Sequence, residues 1–86
     1  MDLAAQVGVY SLRQPRLSPA IERALARLEE AGLEVEPGPM SSIILGDSAS
    51  LFAGLRAAFE AAAEEGETVM VVTVSNACPL VQERRP

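Results

Sequence analysis

The sequence has no histidine, no tryptophan, one cysteine and few basic residues, and these shortages exclude several classes of function. Without histidine and with a single thiol, almost no soft ligands remain for zinc, so we expect no metal site. One cysteine cannot form an internal disulfide, and a Cys–His nucleophile within one chain is excluded. Seven Lys and Arg against twelve Asp and Glu give a net charge of -5, which argues against a nucleic-acid partner.

Aromatic residues and long apolar runs are also scarce. Aromatics make up 3% of the chain, so Leu, Val, Ile and Ala must fill the core, and the hydrophobic fraction of 49% is typical of a globular domain. No segment is long enough to cross a membrane, and the first residues lack the basic region of a signal peptide. We therefore expect a cytoplasmic protein with no membrane partner.

The chain of 86 residues is close to the size at which a single core becomes marginal. We predict one ligand-binding domain over residues 1–79, followed by a charged C-terminal tail over residues 80–86. A domain this small often gains stability from a partner subunit.

The most informative stretch is residues 68–79, TVMVVTVSNACP. Its first seven residues are almost all apolar and β-branched, which predicts a strand covered on both faces. The polar residues from Ser75 onwards predict a turn.

The remaining pattern predicts the order strand, helix, strand, strand, helix, strand. Residues 2–12 alternate as a strand, Ser18-Pro19 opens a helix that Gly32 ends, and residues 33–36 form a short edge strand. Residues 40–45 form the third strand, and Asp47 or Ser48 caps a second helix striped by Leu51, Leu55, Phe59 and Ala62.

Two interleaved strand–helix–strand halves predict an α+β, ferredoxin-like βαββαβ sandwich, with both helices on one face of a four-stranded antiparallel sheet. The first and third strands would be central. Two helices cannot cover both faces of such an apolar sheet, and Met70, Val72 and Val74 would be exposed if Val69 and Val71 face the helices. We therefore expect a homo-oligomer, either a dimer or a tetramer.

Polar side chains on the strands and at their ends are the candidate binding residues. Gln6, Gly8 and Tyr10 share one strand face, where Gly8 leaves a gap against which a flat ring could lie; the simpler explanation is close backbone packing. Ser42 has the parity to join that face, whereas Ser41 would point the opposite way, and turn formation explains both without a ligand.

Asp47, Ser75 and Asn76 each have a structural explanation beside a functional one. Asp47 is most simply a helix cap, and Ser75 and Asn76 could either hydrogen-bond the turn or contact a ligand. Cys78 is most simply a small buried hydrophobe. No pair of carboxylates is set in an apolar stretch, so the sequence favours binding over catalysis.

Several short motifs in order resemble the YkoF-type thiamine-binding proteins, also called thiamine or hydroxymethylpyrimidine binding domains. The resemblance covers the chain up to Pro79, and the residues that carry it are Ala5-Gln6 with Tyr10, Leu17-Ser18-Pro19, Gly38-Pro39-Met40-Ser41-Ser42 with Gly46-Asp47, and Ser75-Asn76-Ala77-Cys78-Pro79.

The resemblance implies a ferredoxin-like, non-catalytic protein that binds thiamine (vitamin B1) or its hydroxymethylpyrimidine part as a ligand, with no other cofactor. It also implies a site at or near a subunit interface. By the same resemblance the ligand-binding candidates are Gln6, Tyr10, Ser42, Asp47, Ser75 and Asn76.

One departure from the family pattern is Leu45, where an acidic residue often stands. A cationic thiazolium ring favours a nearby carboxylate or aromatic face, so this change affects affinity or selectivity. Two other functions stay open: an effector-sensing or assembly module of the same fold with another small ligand, and an enzyme.

Overall fold

The computed structural model describes residues 1–13, 18–38 and 41–77, with the side chain of Ser18 left out. Six elements follow in the predicted order: β1 (Asp2–Ser11), α1 (Ser18–Glu30), β2 (Glu34–Pro37), β3 (Ser42–Asp47), α2 (Ser48–Ala63) and β4 (Thr68–Ser75). Some sequence predictions fall on parts of the chain that lie outside the described residues: the Ser18 hydroxyl, Leu17, Pro39, Met40, Cys78, Pro79 and residues 80–86.

The four strands form one antiparallel sheet in the order β2-β3-β1-β4, so β1 and β3 are central and β2 and β4 are edges. This is the predicted arrangement, and the ferredoxin-like α+β fold is confirmed. In the part of the chain that the structure describes, no helix is long and apolar enough to span a membrane.

The end of α1 and the start of α2 lie where the local sequence predicts. Gly32, after α1, has a φ of 88°, a left-handed conformation that glycine adopts at little cost. Asp47 is the N-cap of α2: Ala49 N donates to its Oδ1 at 3.0 Å, and Ser50 Oγ donates to its Oδ2 at 2.7 Å. Both contacts satisfy polar groups of the first helical turn.

The core lies between the helices and one face of the sheet, which we call the covered face. Leu3, Ala5 and Val7 of β1 and Ile44 of β3 pack there against α1 and α2. The helices contribute mostly small side chains at full burial, among them Ala20, Ala24, Ala58 and Ala62. Since successive strand residues alternate in direction, Gln6, Gly8 and Tyr10 lie on the opposite side, which we call the open face.

The predicted stripe of α2 is correct except at Phe59, which is 40% exposed. Leu51, Leu55 and Ala62 are buried as predicted. Each four-residue step turns about 40° further round a helix of 3.6 residues per turn. Two such steps from Leu51 therefore carry Phe59 to the edge of the buried stripe.

The two sets of alternating residues in β4 face the opposite sides from those considered from sequence. Val72 pairs with Val7 and Met70 with Val9, so both pack against the core. Val69 and Val71 lie on the open face instead, where they are 45% and 56% exposed. The sheet thus does carry an exposed apolar face, but other residues form it.

Candidate functional site

The open face carries a shallow groove centred on Gly8. A Cβ placed on Gly8 would lie 2.8 Å from Oη and 3.0 Å from Cε2 of Tyr10, so the Tyr10 ring lies across the glycine. The gap predicted for a ligand ring is therefore partly covered by an aromatic ring of the chain itself. Tyr10 remains 47% exposed, so its other ring face is available for stacking.

Gln6 forms the second polar part of the groove. Its Nε2 donates to Ser41 Oγ at 3.0 Å. The contact joins β1 to the residue that precedes β3 and holds the carboxamide in place. The Gln6 oxygen and its second N–H have no partner among the described residues, and they can pair with an acceptor and a donor on a ligand.

The volume of the groove is about 150 Å³, and it is open to solvent. The groove combines hydrogen-bonding groups with apolar surface. Its lining residues are Gln6, Gly8, Tyr10, Ser41, Val71 and Thr73. None of these side chains is charged, so the groove offers hydrogen bonds and an aromatic surface rather than an ion pair.

The predicted orientations of the two serines are wrong. Ser42 pairs with Val7 and is only 9% exposed, so it lies on the covered face, away from Gln6 and Tyr10. Ser41 points to the open face and contacts Gln6. The register of β3 against β1 determines which sheet face each serine lies on. The alternation within β3 alone does not determine it.

Asp47 is also remote from the groove. It pairs with Asp2, eight residues along β1 from Tyr10, which corresponds to roughly 26 Å at about 3.3 Å per residue. Hydrogen bonds from the Ser50 side chain and, second, from the Ala49 backbone lower the pKa of this carboxyl. The structure thus gives Asp47 its predicted capping role, and no small ring could contact both Asp47 and Tyr10.

Ser75 and Asn76 lie at the end of the open face. Ser75 pairs with Ala4, one step along the face from Gln6, and its Oγ accepts a hydrogen bond from Ala77 N at 3.0 Å. This is the turn contact weighed as the structural explanation. Asn76 follows the strand and is exposed. A ligand that extends along β1 from the groove would meet these residues next.

Sequence reasoning missed Val71 and Thr73. Both belong to β4, which pairs with β1 so that Val71 lies opposite Gly8 and Thr73 opposite Gln6. Residues directly opposite in an antiparallel pair share a face and lie within contact distance. These two residues could be identified only if the register between β1 and β4 were known. Both alternating sets of residues in β4 are mainly apolar, so the sequence favours no particular register.

Acidic side chains border the open face at the β2 edge. Glu36 pairs with Ile43, which in turn pairs with Gln6, so β2, β3 and β1 place Glu36 and Gln6 in one row. Glu34 pairs with Leu45. Among the described residues, no three acidic or sulfur side chains come together as a metal site.

A second cavity lies on the covered face, beneath α1, with a volume of about 180 Å³. The described residues that line it are mainly aliphatic: Val7, Val9, Ile21, Leu25, Leu28, Pro37, Gly38, Ser41 and Ser42. We call it the helix-side cavity. Of the predicted site residues it includes Ser42 alone.

The fold is shared with several solved structures. A Streptococcus pneumoniae protein is 21% identical, with a TM-score of 0.83 over 98% of this chain and 97% of its own. A hypothetical protein of Methanocaldococcus jannascii is 17% identical, with a TM-score of 0.79 over 86% and 78%. A Thermotoga maritima protein, described as a candidate for thiamine biosynthesis or salvage, is 15% identical, with a TM-score of 0.77 over 99% and 100%.

At these identities the structural matches establish the fold alone. No curated protein matches the sequence. The sequence profile of the family described as thiamine-binding protein matches residues 5–76, which include β2, β3, β4, both helices, all of β1 except its first three residues, and every described residue that lines the groove. The chain therefore belongs to the thiamine-binding protein family.

Proposed function

We propose that this protein binds thiamine, or its hydroxymethylpyrimidine part, in the open-face groove without catalysing a reaction on it. The observation that carries the proposal is the placement of the Gln6 carboxamide beside the Tyr10 ring, in a chain of the thiamine-binding protein family. Gln6 and Tyr10 are the predicted residues that the groove unites. Ser41 and Thr73 join them, Ser75 and Asn76 extend the site, and Ser42 and Asp47 lie elsewhere.

The hydrogen-bonding pattern of Gln6 fits an aminopyrimidine. Because one N–H is donated to Ser41, the carbonyl oxygen and one N–H of the carboxamide remain for a ligand. A carboxamide pairs in two-point fashion with a ring nitrogen next to an exocyclic amine, as Asn and Gln do with adenine. The aminopyrimidine ring of thiamine presents the same pair of groups.

The ring surfaces fit the rest of the ligand. The exposed face of Tyr10 can stack on the pyrimidine, and an aromatic face attracts a cationic thiazolium. Glu36, in the row of Gln6, adds a carboxylate on the same side of the sheet. The net charge of -5 favours a cation over an anion.

A second copy of the chain would complete the site. Small-molecule sites usually bury most of the ligand surface, and a groove open to solvent does not. The groove is flanked by Val69 and Val71, both largely exposed on a face without helices. We propose that this face is covered in a homo-oligomer, a dimer or a tetramer, with the ligand near the interface.

Isothermal titration calorimetry with thiamine and with hydroxymethylpyrimidine tests the ligand. We expect saturable binding, and a loss of about tenfold or more in Gln6→Ala, because two hydrogen bonds to the ring disappear. Glu22→Ala, on the exposed side of α1, is the control and should bind as the parent does. Saturation with neither compound would overturn the proposal and favour the alternative of a module for another small ligand.

Gln6→Glu sharpens this test. A carboxylate keeps the acceptor but loses both N–H donors, so affinity for the uncharged pyrimidine should fall. Affinity for thiamine should fall less, because the new charge attracts the thiazolium. An equal loss for both ligands would place the thiazolium away from Gln6.

Light scattering at low protein concentration tests the oligomer. Val71→Lys should shift the parent oligomer towards a 9.1 kDa monomer, because it places a charge on the open face, which the second copy would cover. Ala53→Lys, on an exposed position of α2, is the matched control. A parent protein that is already monomeric would contradict the shared site.

A further inference from the structure

The two edges of the sheet differ in how well they are protected against pairing with a further strand. At one edge, β2 has four residues, two of which are glutamates, and it ends at Pro37. Short length, charge and proline each discourage another strand from pairing. At the other edge, β4 has eight residues, and none of them is charged, proline or glycine. The β4 edge therefore has the character of a strand that pairs on both sides.

Half of the backbone groups of β4 point to this outer edge. Leu12 N donates to Glu67 O at 2.9 Å, which fixes the alternation of hydrogen bonds between β1 and β4. Every second residue from Val69 onwards thus bonds to β1. The N–H and C=O groups of the other residues point outwards, where no described strand pairs with them: Thr68, Met70, Val72 and Val74. These groups can form a ladder with another strand.

The helix above this edge exposes both phenylalanines of the chain on one side. Phe52 and Phe59 are 54% and 40% exposed, and they lie two turns apart on α2. Phe52 lies about 200° round the helix from Gly54. A Cβ on Gly54 would lie 3.6 Å from Cδ2 of Leu28 in α1, so the phenylalanines point away from α1. Since α1 lies over β2 and α2 over β4, they point beyond the β4 edge.

The spacings of strands and helices fit a second copy at this edge. Neighbouring strands are about 4.8 Å apart and packed helices about 10 Å apart, so one helix covers roughly two strands. A second copy whose β4 continues the sheet would therefore place its own α2 next to this one. The exposed phenylalanines of both helices would then be buried in the same contact.

We propose that β4 pairs antiparallel with β4 of a second copy of the chain, so that two four-stranded sheets join into one and α2 packs against its counterpart. Identical strands pair in this way about a two-fold axis, and the uncharged sequence of β4 brings no like charges together. An axis at Val71 or Val72 keeps nearly the whole strand paired. In either case Val71 of one copy lies opposite Val71 or Thr73 of the other, so the two open-face grooves adjoin.

This interface is additional to the covering of the open face and needs no ligand. Both interfaces together give a tetramer, and the edge alone gives a dimer. The two proposals fail separately, because the edge is tested without ligand, whereas the proposed function fails when the parent protein binds neither thiamine nor hydroxymethylpyrimidine.

Amide hydrogen exchange on the parent protein tests the edge directly. Ser48 N donates to Met1 O, which fixes the alternation across β3 and directs the N–H of Val35 to the outer edge of β2. The N–H groups of Met70 and Val72 should exchange at least about tenfold more slowly than that of Val35, because only the β4 edge is paired. Equally fast exchange at all three would overturn the proposal.

Proline substitutions at matched positions on the two edges give a second test. Val74→Pro removes an outward N–H without breaking a hydrogen bond to β1, so light scattering should show half the parent mass at a concentration where the parent is fully assembled. Val35→Pro makes the same change at the β2 edge and should keep the parent mass. A parent protein that is already a 9.1 kDa monomer would overturn the proposal, even with slow exchange, because the chain itself would then cover the edge.

Phe52→Lys covers the case in which the proline variant folds poorly. The side chain is exposed and the strand backbone is unchanged, so the domain should keep its thermal midpoint while the mass again falls by half. Glu22→Lys, at an exposed position of α1, is the control and should keep the parent mass. Parent mass in Phe52→Lys and in a folded Val74→Pro would overturn the proposal.

Discussion

The covered and open faces are the two sides of one sheet, yet valines of the same strand pair have opposite environments. Val7 on the covered face is 3% exposed, whereas Val71 on the open face is 56% exposed. Both are β-branched residues suited to a strand. The difference comes from the helices, which form a second layer on one side only.

This contrast separates stability from binding. The covered face buries Leu3, Ala5, Val7 and Ile44, so it supplies most of the hydrophobic stabilisation of the fold. The open face contributes little to folding and retains exposed polar and apolar groups together. Substitutions on the two faces should therefore change the stability of the fold by unequal amounts. Two matched pairs of substitutions test this, and two single substitutions in and near the helices follow for scale.

Truncation of a fully buried side chain should have the largest effect. Leu28→Ala removes a side chain with 0% exposure and should lower the free energy of unfolding by about 2–5 kcal/mol, because it leaves a cavity. Val71→Ala on the open face should change it by about 0.5 kcal/mol or less in dilute protein. Urea titration measures both, and similar losses would show that a further layer covers the open face under those conditions.

Adding one methyl group to each face gives a matched comparison. At Gly46, on the covered face, a new Cβ would lie 2.3 Å from Cδ2 of the buried Leu33, so Gly46→Ala should destabilise by about 1–3 kcal/mol. At Gly8 the new Cβ meets only the exposed Tyr10 ring, which can move aside. Gly8→Ala should leave the free energy of unfolding in urea titration almost unchanged, yet alter the affinity for thiamine. If Gly8→Ala lowered the free energy of unfolding as much as Gly46→Ala, the Tyr10 ring would not be free to move.

Loss of the α2 cap should have a smaller effect that depends on pH. Asp47→Ala removes the acceptor for Ala49 N and Ser50 Oγ and should lower the thermal midpoint by about 5 °C at neutral pH. Since the folded pKa of Asp47 lies below its ordinary value, its contribution is complete above about pH 4 and disappears as the pH falls through the folded value. Thermal melts from pH 7 to pH 2 should therefore converge for parent and variant.

The smallest effect is expected at the ion pairs between the helices. Arg23 of α1 contacts Glu64 and Glu65 after α2, and the hydrogen bonds that its guanidinium donates, first to Glu64 and second to Glu65, raise the pKa of that guanidinium. These groups are partly exposed to solvent, so Arg23→Ala should lower the thermal midpoint by about 2 °C or less. Salt at 1 M should reduce the difference further, and a difference that persists would indicate lost packing of the Arg23 stem.

The element order, the antiparallel topology and the helix ends could be predicted from sequence because their signals are local. Gly32 ends α1 and Asp47 caps α2 through contacts within a few residues along the chain. Gln6 and Tyr10 were also placed on one face correctly, since they are four residues apart in a strand. Their ligand roles, like those of Ser75 and Asn76, stay predictions.

Errors arose where a choice depended on partners distant in sequence. Ser42 was assigned to the face of Gln6, but its pairing with Val7 turns it towards the helices. Both parities of β4 are apolar, so only pairing with β1 decides that Val72 is covered and Val71 is not. Thr73 was missed for the same reason, because nothing in β4 itself marks it as the neighbour of Gln6.

The sequence by itself determined the elements, their order and the acidic, histidine-free composition, because propensity, capping and charge are properties of neighbouring residues. The tertiary structure alone decided which side of each strand faces the helices, and so which side chains meet in the groove and which line the helix-side cavity. The reason is physical: a shift of one residue in strand register reverses every side chain, and only long-range packing selects the register.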